Sequence, residues 1–217
     1  MLIEVFADFS CPWCFIGRRR LARAQTLRPH LPMEIVWQPF QLNPELPADG
    51  IDRRQYLPSK PGDLERYHAM ERSLSESGSK EGIRFAFDRI GRVPNTLAAH
   101  RLMRFAARSG KEGALAERLF SAYFERGEDI GAIGNLVLCA TQTGLPARAA
   151  RDFLESGAEA EAVASSDELA RQGGVAGVPY FIFDRRYALA GAQEPASFLP
   201  LFDALAAGAE ELMLTSV

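Results

Sequence analysis

An apolar run, LIEVFAD (residues 2–8), stops just short of Cys11, and Cys11-Pro12-Trp13-Cys14 then opens a stretch with helical spacing. This junction constrains the chain more than any other feature. A strand has to deliver two thiols to the start of a helix, because Pro12 loses no needed N–H in a first turn and is costly further in. Phe15, Leu21, Ala22 and Ala24 give a helix over 12–28 its packing face, and Pro29 ends it. Residues 33–40, MEIVWQPF, read as a second strand whose far end Pro39 limits. The opening is β-α-β, and parallel pairing of its strands implies a right-handed crossover.

The next stretch, 44–62, holds Pro44, Pro47, Pro58 and Pro61 and reads as loop. From 63 to about 155 the pattern is helical. Asp63 is placed to cap a helix through 77, and Asn95 to cap another with Leu97, Ala98, Leu102, Phe105 and Ala106 on one face. Residues 112–126 and 133–143 follow, broken by Gly127 and Gly131. A helix over 158–172 ends at Gly173-Gly174. Two strand-like runs, 180–184 and 187–190, flank the turn Asp184-Arg185-Arg186 as in a hairpin, and a last helix covers 195–207. With the helical block set aside, the order is that of a thioredoxin-like core. The expected fold class is α/β, thioredoxin-like with a large all-helical insertion. Residues 1–47 and 156–217 form the discontinuous thioredoxin-like domain, and 48–155 the helical insertion domain.

Composition excludes several classes. The 217-residue chain carries a net charge of -3, and Arg18-Arg19-Arg20 is too short a basic run to make a nucleic-acid or membrane surface. That run reads as a solvated basic face. No apolar stretch approaches the length of a membrane span, and no signal-peptide pattern precedes the cysteine motif, so a cytoplasmic location is expected. Three cysteines do not make a disulfide scaffold.

Three chemistries compete for the Cys11/Cys14 pair. Zinc needs four ligands; one C-x-x-C supplies two, and Cys139, His30, His68 and His100 include no second pair. An inert structural bridge is disfavoured in a reducing compartment. A redox dithiol suits the position, because the free N–H groups and positive dipole end of a helix start stabilise a thiolate at Cys11. Cys14, about one turn in, is near enough to close a small disulfide and is expected to be more buried. Cys139, in the apolar run LVLCATQ, reads as a buried inert thiol. Asp8 reads as a cap or loop-ordering group, with proton transfer from Cys14 as its functional alternative. Trp13 is expected to be exposed and to grip an apolar substrate segment. His100 is either a packing residue or one that faces the cleft and the Cys11 thiolate.

A second constellation, GGVAGVPYFIF (173–183), places Val178-Pro179 just ahead of an apolar strand. Together with "DFSCPWCFIG" (8–17), "WQPFQLNP" (37–44), "PNTLAAHRL" (94–102) and "GVAGVPYFIFDRRYALAGAQ" (174–193), it resembles the DsbA-like thioredoxin-fold oxidoreductases, FrnE-type branch, over nearly the whole chain. The resemblance implies a thiol–disulfide oxidoreductase with Cys11 attacking and Cys14 resolving. It also implies a cis-Pro179 loop whose Val178 backbone binds substrate, and it draws attention to Gln38, Phe40 and Asn43. Trp13, Val178, Pro179 and His100 are the expected substrate-binding residues. No bound cofactor or metal is expected; the partners are protein or peptide disulfides or low-molecular-weight thiols, glutathione among them, acting on a monomer or homodimer. The related kappa-class glutathione transferases and 2-hydroxychromene-2-carboxylate isomerases offer an alternative, glutathione-dependent transfer or isomerisation of a small molecule. Those enzymes usually carry serine at the position of Cys11 and need no second thiol, so the intact CPWC favours disulfide exchange.

Overall fold

The computed structural model describes residues 1–58 and 61–214. Strand β1 (Leu2–Ala7) runs into helix α1 (Pro12–Thr26), which returns the chain to β2 (Glu34–Pro39). β1 and β2 pair in parallel, Val5 opposite Trp37. β5 (Tyr180–Phe183) lies antiparallel on the other side of β1, with Phe181 opposite Val5, and β6 (Tyr187–Ala190) completes the order β2-β1-β5-β6. β1 is therefore internal, and its residues Ile3, Val5 and Ala7 are buried by strict alternation.

The segment between β2 and β5 folds as α2 (Arg53–Tyr56), α3 (Pro61–Lys80), α4 (Leu97–Ala107), α5 (Glu112–Arg126), α6 (Ile133–Gln142), α7 (Ala147–Glu155) and α8 (Ala160–Gln172). It is not helical throughout. β3 (Ile51–Asp52) and β4 (Arg92–Val93) form a two-stranded antiparallel ladder, too short to leave any periodicity in the sequence. α1 ends two residues before the expected boundary and Ala22 faces solvent. α3 is longer at both ends than expected, stopping where Gly82 takes a left-handed φ of 72°. The expected last helix is split into a short 3₁₀ turn, Pro195–Ser197, and α9 (Leu199–Leu214).

Aromatic side chains join the layers. Phe15 of α1 stacks on Phe120 of α5 at 5.3 Å, and Phe9 meets the same ring at 5.0 Å. Phe181 and Phe183 pack on Phe198 and Phe202 from the C-terminal segment. The arginine run is no solvated face. Arg18 and Arg19 pair with Glu117 of α5, and Arg18 also donates to Gly113 O. Arg20 is buried; it donates to Glu81 Oε1 at 3.1 Å and to Ala192 O at 2.6 Å, and pairs with Glu194. Glu81, itself buried just past α3, also accepts from Arg23. These ion pairs bind the helix carrying the cysteines to the helical block.

Candidate active site

Cys11 is the N-cap of α1, in extended conformation (φ -94°, ψ 113°), and Pro12 takes the first helical position. The cap side chain makes no hydrogen bond to the helix. Its Sγ points the other way and donates to Val178 O at 3.6 Å, across 167 positions of sequence. Cys14 lies one turn in and its N–H bonds to Cys11 O at 3.1 Å. Cys11 is 5% exposed and Cys14 1%. Burial raises the Cys14 thiol well above its ordinary value, and the hydrogen bond and charge of Cys11 push it the same way. One thiol thus sits at the lip of the cleft and the other beneath it as a neutral SH.

The Val178–Pro179 bond is cis. The loop reaches the cysteines because α1 has no side chain at Gly17: a Cβ there would lie 2.9 Å from Pro179 Cγ and 3.3 Å from the Phe181 ring. Buried Asp8 holds the other flank. Its carboxylate accepts from Ser10 N at 3.0 Å and Leu42 N at 2.6 Å, tying the turn before Cys11 to the segment after β2. Asp8 orders loops and does not cap the helix.

Trp13 stands beside the pair at 37% exposure. His100 does not line the exposed cleft. α4 turns it inward with Ala99, Leu102 and Met103, where it is 4% exposed and its ring lies 5.1 Å from that of Phe9. Its Nε2 has no hydrogen-bond partner, and the residue borders a void of about 10 Å³. Burial lowers its pKa, partly countered by the Asp8 and Asp167 carboxylates. In this structure the ring packs on Phe9 in the interior and not on the exposed face of the cleft. Cys139 is fully buried on α6, and burial raises its thiol too. Gln38 donates to Glu4 and Phe40 is buried; of the three family-matched positions, Asn43 alone lines the pocket beside the cysteines. Among the described residues no group of three or more His, Cys, Asp or Glu side chains converges as a metal site would.

Sequence reasoning did not anticipate that pocket. A cavity of about 150 Å³ opens beside Ser10 and Pro12 and is walled by the helical block, including Arg53, Tyr67, Met70, Glu71 and Leu74. The one signal available was on α3, where Tyr67, Met70 and Leu74 recur at i, i+3 and i+7 in a mostly polar helix.

Residues 2–202 match the model of the DSBA-like thioredoxin domain. The chain belongs to this family. Among solved structures, a probable DsbA oxidoreductase from Streptomyces coelicolor is 30% identical with a TM-score of 0.84, over 93% of this chain and 88% of that one. A 2-hydroxychromene-2-carboxylate isomerase shares the fold at 15% identity and TM-score 0.72, over all of both chains. The cytosolic disulfide reductase DsbM from Pseudomonas aeruginosa, solved with GSH, shares it at 19% identity and TM-score 0.64, over 98% of this DsbA-like chain and 99% of that one. No helix among the described residues is long and apolar enough to cross a membrane.

Proposed function

We propose that this DsbA-like protein is a thiol–disulfide oxidoreductase using Cys11 and Cys14 as its redox dithiol. The supporting observation is the arrangement at the N-terminus of α1: Cys11 at the cap facing Val178 O, Cys14 one turn below and shielded. The Cys11 thiolate attacks one sulfur of a substrate disulfide, forming a mixed disulfide. The leaving sulfur departs as a thiolate and takes up a proton. Cys14 gives up its proton and attacks Cys11 Sγ, forming the Cys11–Cys14 disulfide and releasing the second substrate thiol. Two electrons pass from the dithiol to the substrate, and the reverse sequence oxidises a dithiol. Trp13 and the Val178-Pro179 backbone contact the substrate chain.

This chemistry uses no bound cofactor or metal. A low-molecular-weight thiol such as glutathione serves as the recycling partner, in a reducing compartment such as the cytoplasm. Glutathione transfer or isomerisation of a small molecule gives Cys14 no task, which favours exchange. Insulin reduction tests the proposal. The wild-type chain should reduce insulin with dithiothreitol or glutathione as electron source, and Cys11→Ser should be inert. Equal rates for the two proteins would sink it.

A further inference from the structure

The pocket beside Ser10 and Pro12 has a composition that the exchange chemistry alone does not require. At about 150 Å³ it matches the size of an apolar cavity that takes one benzene ring, and is well below the roughly 300–1,000 Å³ of clefts that enclose drug-sized ligands. Tyr67, Met70 and Leu74 approach from α3, and Tyr123 and Phe124 from α5. Its charged groups are committed to each other. The Arg53 guanidinium pairs with Glu71, donates to Phe87 O at 2.5 Å and lies 5.9 Å from the Phe87 ring centre. The pocket has room for a ring and, among the described residues that line it, no free cation for a carboxylate.

The surface around it is apolar. Leu42, Tyr56 and Met70 line the pocket and are exposed, and exposed Trp13 follows the pocket residue Pro12 in sequence. Singly exposed apolar residues are ordinary; three gathered round one pocket whose lining includes the residues flanking Cys11 are the kind of patch that marks an interaction site.

We propose that this pocket is the subsite for one aromatic side chain of a polypeptide substrate, carried next to the half-cystine that Cys11 attacks. The inference rests on the thiol–disulfide reading above. Cys11 Sγ faces the Val178 backbone, and the residues on either side of it in sequence, Ser10 and Pro12, line the pocket. An extended chain, whose successive side chains point to opposite faces, can place its sulfur at Cys11 and a neighbouring ring in the pocket. A free aromatic molecule fills the pocket but brings no sulfur to the thiol. Glutathione disulfide brings sulfur but offers only charged ends and no large apolar side chain.

The test uses full-length protein carrying Cys14→Ser, which stops at the mixed disulfide, and two disulfide peptides that differ only by Phe or Ala beside the cysteine. The Phe peptide should react about tenfold faster, the return expected from burying one large apolar group. Met70→Trp, at an exposed position on α3, should obstruct the mouth and bring the Phe/Ala ratio close to one. Tyr67→Ala, which removes one wall of the pocket around a Phe ring, should also lower the Phe/Ala ratio. The ratio cancels any change in thiol reactivity, and circular dichroism checks that each variant is folded. Equal rates for the two peptides overturn the subsite, as does a Phe preference unchanged in both variants. Oxidised glutathione reacting as fast as the Phe peptide overturns it too. Free indole binding at the pocket with no Phe/Ala difference overturns it in favour of a small aromatic ligand. Failure of all three disulfides to react, with Cys11 free and the protein folded, refutes the thiol–disulfide reading itself.

Discussion

One wall of the cleft at Cys11 is backbone, and the other is side chain. The first is Gly177-Val178-Pro179, brought to the cysteines by the absence of a side chain at Gly17. The second is the pocket wall of the helical block, where Tyr67, Met70 and Leu74 present apolar surface around an ion pair already satisfied within the protein. A backbone wall treats all peptides alike, since every residue offers the same amide. A side-chain wall discriminates by shape and polarity. The difference teaches that reaction and selection are assigned to segments far apart in sequence, so each can be perturbed while the other is monitored.

The largest effect should come from the thiol side. Cys14→Ser removes the resolving sulfur, so turnover in the insulin assay should be lost while the mixed disulfide at Cys11 accumulates, visible as a mass adduct on intact protein. If the variant still turned over, Cys14 would not be the resolving thiol.

A smaller effect is expected from Gly17→Ala. The added Cβ meets Pro179 Cγ at 2.9 Å, and overpacking of this kind costs about 1–3 kcal/mol. Alanine's advantage over glycine in a helix, about 1 kcal/mol, offsets part of that. The denaturation midpoint should fall, and exchange should slow by the same factor for Phe and Ala peptides, because only the backbone wall has moved. A change confined to the Phe/Ala ratio would mean that the two walls are not separable.

The smallest effect is in pH dependence, and it comes from two buried groups kept neutral, Cys14 on the thiol side and His100 in the helical block. Burial lowers the pKa of His100. As the pH falls below about 6.5 the unfolded chain takes up this proton first, so stability declines on the acid side, by up to about 1.4 kcal/mol per pH unit, until the folded value is reached. Cys14 is raised, so above about pH 8.5 the unfolded chain loses its proton first and stability declines with the same limiting slope. Urea midpoints measured from pH 5 to 10 should fall at both ends. His100→Gln should flatten the acid limb, and Cys14→Ser should reduce the alkaline one. Unchanged limbs in both variants would show that other groups set the window.

The thiol side was legible in the sequence because it is encoded locally. Pro12 fixes a helix start, two cysteines three apart share a turn, and Val-Pro before an apolar strand marks the opposing loop. The element order around it was legible for the same reason: long periodic runs such as α5 declare themselves. The pocket side was not. Arg53 and Glu71 are 18 residues apart and lie in stretches that read as loop and polar helix, and a charged pair announces itself only once the chain is folded. The two-residue strands β3 and β4 carry no period. His100 was ambiguous because an amphipathic helix does not say whether a polar residue at its edge turns toward a cleft or toward a phenylalanine. The run Arg18-Arg19-Arg20 misled because charge reads as solvent exposure, whereas here each guanidinium has a carboxylate partner from outside its own helix.

The contact between Arg20 and Glu81 limits how this architecture can be modified. Arg20 belongs to the helix that bears the cysteines, Glu81 to the segment that closes the pocket helix, and both are buried. Lifting residues 48–155 out as a cassette and replacing them with another helical unit would strand a guanidinium in the interior, with Ala192 O and the exposed Glu194 as its remaining partners. Removing one member of a buried ion pair typically costs about 3–5 kcal/mol, a large share of what holds a domain together. The two halves of the cleft are therefore inherited as a set: a lineage that changes its pocket is constrained to do so by point substitution on α3, and grafted chimeras need an acidic residue returned to the position of Glu81.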